Sequence, residues 1–224
     1  MSAVTEPPTP SYAAPRARPH GKPPISLPPV SAERPHHDTA RMLAIGVVVL
    51  SAVYTGLTVL AEVPLGLATL DQANGRDPDG ASTLGAVLVV ASLLLLLPLW
   101  VVTSLWLRAE RERLGGAGSF AHGTAGTFAS WVVPFANLVW PFRVVREVHE
   151  RAVEPRYRVS LGWWWTLWLL AVVLDRLSLG FYDRQDSGDP TAGILATSAL
   201  SSMALVVALV LWVGIVQRTS RVRT

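Results

Sequence analysis

Four apolar runs decide what this chain can become. They lie at about Met42–Val63, Thr83–Leu107, Leu161–Gly180 and Thr191–Gln217. Each is about 20 residues or longer, the length a helix needs to cross a hydrocarbon core about 30 Å thick. A soluble protein of 224 residues offers too little partner surface to bury four such segments. In lipid, a crossing segment must also satisfy its own backbone N–H and C=O groups, which leaves the helix. The expected fold class is all-α: an integral membrane helical bundle of four transmembrane helices.

The polar segments between the runs sort by sign. The N-terminal tail carries five basic and three acidic residues, RAERER three and two, residues 143–160 five and three, and the C-terminus three and none. The segments DQANGRDPDG and FYDRQDSGDP reverse the pattern, each with one basic and three acidic residues. With four crossings, all but three of the 19 Lys and Arg residues fall on one side. The positive-inside rule then places both termini in the cytoplasm, and the expected location is the plasma membrane. This sorting also argues against nucleic acid as a partner, although the net charge is +3.

Residues 1–41 hold ten of the 17 prolines and show no apolar periodicity. Such a stretch buries too little to offset its ordering entropy, so it reads as a disordered Pro-rich cytoplasmic tail. It has no apolar core of the kind a secretory leader needs. The transmembrane domain spans 42–217, and 218–224 form a basic cytoplasmic tail.

One apolar stretch resists the helix-crossing pattern. Residues 124–142 lie between two basic segments, so a crossing would put one of them outside. Seven Leu, Val or Phe there are worth roughly −2 to −4 kcal/mol on the insertion scale, against roughly −4 to −8 for the 13 Leu or Val of 84–102. Pro134 and Pro141 would each free a helical carbonyl, on the same stripe as Asn137. Lipid cannot satisfy such groups, but water, headgroups or packed protein can. The stretch is therefore read as an interfacial or re-entrant segment, with a crossing disfavoured. Residues 143–154 follow as a cytoplasmic helix with a narrow apolar side, Val144, Val145, Val148 and Ala152, and i,i+4 pairs Arg143/Glu147, Arg146/Glu150 and Glu147/Arg151.

The run from Trp131 to Val148, WVVPFANLVWPFRVVREV, resembles the signature of the domain of unknown function 4328, a family of largely actinobacterial multi-pass membrane proteins. The resemblance maps its aromatic, Pro, Asn, Pro and Arg-Glu pattern onto Trp131, Pro134, Asn137, Pro141, Arg146 and Glu147. The arginine-rich end of the second helix, LWLRAERERLG, and the cluster LGWWWTLWL also resemble the family. The family often has a tryptophan where this chain has His149. The resemblance implies the architecture and brings no activity.

The remaining residues favour packing over chemistry. No cysteine is present, which excludes disulfides and thiolate sites. His20, His36 and His37 fall in the tail, where HHD reads as a solvated motif, and GGAGSFAHG lacks the spacing of a phosphate or dinucleotide loop. No catalytic constellation, metal site or cofactor site is expected. Glu62, Asp175 and Arg176 approach the outer membrane boundary, where a boundary ion pair is the plain expectation. A single acidic level, with no second one deeper, argues against a proton path. Gly193, Thr197 and Ser201 recur every four residues and allow close helix approach. Trp163, Trp164 and Trp165 suit an interfacial belt. The functional expectation is a non-enzymatic protein that binds a partner or organises a complex through its cytoplasmic face. Membrane lipids and a second copy of the chain are further expected partners. The alternative is a small transporter or channel with Asn137 in a re-entrant pore.

Overall fold

The computed structural model describes residues 34–115, 139–182 and 191–221. Five helices carry the fold among them: α1 (Arg34–Ala73), α2 (Asp79–Arg113), α3 (Trp140–Ala152), α4 (Leu161–Tyr182) and α5 (Thr191–Thr219). A short 3-10 turn, Pro155–Tyr157, links α3 to α4. The architecture is all-α, and four of the helices, all but α3, are long and apolar enough to cross a membrane.

The first two helices run well past the apolar runs that signal them. α1 begins at Arg34 and continues through Pro64 to Ala73. At about 1.5 Å per residue its 40 residues reach roughly 60 Å, twice a hydrocarbon core. Pro64 removes one hydrogen bond, but the helix beyond it still has a face to bury: Ala68 and Thr69 are both buried. Close packing starts here too. A Cβ at Gly85 of α2 would sit 2.6 Å from the Leu65 side chain, so only glycine admits this approach. The α1 end is closed by Asn74, whose Nδ2 donates to the Leu70 carbonyl at 2.7 Å, and by Gly75 at φ +68°. Asp77 Oδ1 then accepts from the Asp79 N–H at 2.9 Å and starts α2.

The long helices form two hairpins, α1 with α2 and α4 with α5, joined along α1 and α5. The row α2–α1–α5–α4 curls so that α2 and α4 both line one cleft. One end of the bundle is acidic, with Asp71, Asp77 and Asp79 at the α1–α2 turn. The other is basic and carries the last turns of α2 and α5 together with α3. The stripe Gly193, Thr197 and Ser201 does meet α4: Ser201 Oγ donates to the Ala171 carbonyl at 2.9 Å, and Gly193 lies against the Phe181 ring.

The core sits at the basic end. Trp106, Leu107, Val144, Val145, Val148, Trp164, Trp165, Trp212, Ile215 and Val216 form one buried cluster, to which α1 adds Ala44 and Val47. This corrects the reading of the tryptophan run. Consecutive helical residues point about 100° apart, so three in a row cannot share an interface. Trp163 is 67% exposed and suits the headgroup level, whereas Trp164 and Trp165 are core.

Candidate functional site

The basic-end site is built on α3. Its narrow apolar side, Val144, Val145, Val148 and Ala152, is buried against α2, α4 and α5. Pro141 lies in the first turn of α3, where a missing N–H costs nothing. It therefore opens a helix and breaks none, contrary to the kink expected from its spacing. Phe142 packs on Trp165 with centroids 6.3 Å apart. At the other end Arg158 donates to the carbonyls of Val153 and Glu150, satisfying groups the helix leaves open. Arg218 Nη1 donates to the Tyr157 carbonyl at 2.9 Å and ties the linker to α5.

Beneath α3 lies a buried polar knot. Glu110 of α2 is fully buried, and its Oε2 accepts from Arg113 Nε at 2.7 Å and Nη2 at 2.6 Å. The same Nη2 donates to the Thr219 carbonyl of α5 at 2.8 Å. Trp106 Nε1 donates to Ser220 Oγ at 2.9 Å. His149 of α3, also fully buried, meets Thr219 Oγ1 through Nδ1 at 2.8 Å. The Thr219 hydroxyl donates its one hydrogen to the Ile215 carbonyl at 2.7 Å. His149 Nδ1 must then carry the proton in that pair, which assigns the tautomer and leaves Nε2 bare. Nε2 has no hydrogen-bond partner. Burial holds this imidazole below its ordinary pKa; Arg158 and Arg218 push the same way and Glu150 opposes them. His149 is therefore a neutral structural group that anchors α3.

The signature residues divide by face. Arg146 points outward and pairs with Glu150 at 2.6 Å on an exposed surface. Glu147 is more buried, pairs with Arg151 at 3.3 Å, and is the opposite charge felt by buried Arg111 of α2. The Arg-Glu pair and the RAERER stretch, separate in sequence, thus meet in one place. Trp131, Pro134 and Asn137 lie outside the described residues, and with them the stretch read from sequence as an interfacial or re-entrant segment.

A second region lies within the membrane-crossing part. A cavity of about 720 Å³ opens between α2 and α4, with α1 and α5 as its floor. Asp175 and Arg176 are both exposed and both line it. Glu62 takes another partner. It hydrogen-bonds to Ser198 of α5, which lies 3.2 Å from Ser178 of α4. The expected boundary ion pair is not formed: the ion pairs of the described residues all lie elsewhere. Among the described residues no three His, Asp or Glu side chains converge as metal ligands would.

Sequence reasoning missed Glu110, Arg113, His149 and Thr219 as a group. RAERER was informative only as charge, and its internal i,i+3 pair, Glu110/Arg113, was the available signal. His149 and Thr219 carry no local signal, being 70 residues apart. The profile of the family described as Domain of unknown function (DUF4328) matches residues 73–221, more than half the chain. No curated protein matches the chain. No solved structure matches it either.

Proposed function

The chain belongs to the DUF4328 family, and from that premise we propose that it is a non-enzymatic, multi-pass protein of the plasma membrane whose basic end faces the cytoplasm and docks a protein partner. The observation that carries this reading is how α3 is held. Its inner side buries three valines and an imidazole, while Arg143, Arg146 and Arg151 stay exposed on the outer side. A charged helix pinned this firmly presents its outer face already ordered. A partner then binds without the cost of immobilising a loop.

Site-specific photo-crosslinking in cells tests the reading. A crosslinker at Arg146 or Arg151 should give a discrete protein adduct, and one at lipid-facing Met203 should not. The adduct should fade in an Arg146→Glu/Arg151→Glu variant that still inserts. Identical adducts from α3 and from Met203 would remove the docking surface. Orientation is checked separately with single cysteines, since the chain has none of its own. Cysteine at Ser160 should be labelled from the cytoplasm and at Asn74 from outside.

A further inference from the structure

The intramembrane cleft is independent of the docking face, and its chemistry changes along its length. One end lies toward the basic end of the bundle and is aromatic. Trp164 stacks on Trp212 with centroids 4.7 Å apart, and Trp168 stacks on Trp165 at 4.9 Å. The polar edge of Trp212 is already used, donating to Ser51 Oγ at 3.1 Å. Leu93, Leu96 and Leu97 of α2 form the facing wall. The other end of the cleft carries Asp175 and Arg176.

The dimensions suit an acyl chain. Trp164 and Asp175 are eleven residues apart on α4, roughly 16 Å at 1.5 Å per residue. Asp175 lies seven residues, roughly 10 Å, short of the α4 end at Tyr182, so a long side chain such as that of Arg176 can reach toward the headgroup level. The cavity volume of about 720 Å³ falls within the usual range for small-molecule sites. In a membrane the surrounding solvent is lipid, so an acyl chain can enter sideways between α2 and α4.

The rim decides which lipid. Asp175 and Arg176 are neighbours on a helix, so their side chains diverge by about 100° and leave each other free for other partners. An ionised side chain at membrane depth is costly unless it is paired. An anionic headgroup would suit Arg176 and repel Asp175, and a cationic one would do the reverse. A headgroup carrying both charges suits both residues. We propose that the cleft binds one acyl chain of a zwitterionic phospholipid from the leaflet at the acidic end, with its phosphate on Arg176 and its ammonium on Asp175.

Four of the cleft's lining side chains are tryptophans, Trp100, Trp164, Trp168 and Trp212, so quenching by brominated acyl chains reads occupancy directly. The full chain is reconstituted in phosphatidylglycerol vesicles containing a rising fraction of brominated phosphatidylethanolamine, or of brominated phosphatidylglycerol. The ethanolamine lipid should reach half-quenching at about a tenfold lower fraction, the scale of a charge-assisted contact. Asp175→Asn and Arg176→Gln should each abolish that preference, whereas Asp175→Glu should keep it. Val172→Phe, which fills the cleft, should remove the excess quenching. Far-UV circular dichroism checks that each variant keeps its helices. Equal quenching by the two lipids in the unaltered protein would overturn the proposal. So would a preference that survives both charge-removing variants.

Discussion

At its basic end five helices meet on a tryptophan and valine core, and polar links cross between them, Arg113 to Thr219, His149 to Thr219 and Trp106 to Ser220 among them. Along the middle of the bundle α2 turns exposed apolar side chains outward, Val87 and Leu94 among them, and a cleft separates it from α4. Both regions are built from the same long helices. The difference lies in what surrounds each. In lipid an exposed leucine has no incentive to be buried, so helices stay apart unless small residues or polar groups draw them together. At the water boundary the hydrophobic effect returns, and α3 closes over the helix ends. Packing in this protein is tightest where water begins.

The comparison breaks most easily at Trp106. Trp106→Ala empties the centre of the basic-end core and should cost about 4 kcal/mol, read from denaturant unfolding in micelles. Glu110→Ala comes next. It strands Arg113 in a site where the guanidinium is nearly buried, and the expected loss is about 3 kcal/mol by the same measurement. If either variant unfolds like the unaltered protein, the basic end is not the stable half.

A smaller effect comes from acid. The folded pKa of His149 lies below its unfolded value of about 6.5, so the unfolded chain takes up this proton first as pH falls. The stability contributed by its neutral form is therefore present above about pH 6.5 and lost as pH falls below it. Amide exchange across 144–152 should accelerate between about pH 7 and pH 5.5 beyond its intrinsic pH dependence. In His149→Phe, which keeps a buried ring without a titrating nitrogen, that excess should vanish. An unchanged profile in His149→Phe would place the sensitive group elsewhere.

Two substitutions should do almost nothing, and that sharpens the contrast. Arg146→Gln removes an exposed i,i+4 pair worth a few tenths of a kcal/mol. Leu97→Ala shortens a side chain that is 63% exposed to lipid and should leave unfolding unchanged within error. A loss near 2 kcal/mol at Leu97 would mean the cleft is closed by protein, as a buried leucine behaves.

The sequence by itself determined the four crossings and the apolar side of α3. Crossing depends on run length and α3 on spacing, both local quantities. The charge sorting was legible as well, because Arg residues keep their loops whatever the helices do. Local signals placed the helix ends less well. The passage of α1 through Pro64 depends on which face finds a neighbour, as Ala68 and Thr69 do. The i,i+4 pairs Arg146/Glu150 and Glu147/Arg151 form as their spacing predicts. The ion pair expected of Arg176 does not form, because position along a helix says nothing about rotation around it. Only the tertiary structure decided that Glu147 faces Arg111, that His149 is the anchor of α3, and that Glu62 turns to Ser198 while Asp175 and Arg176 open onto a cleft. Each of these joins residues from different helices, and the angle at which two helices meet is set by packing that no single segment contains.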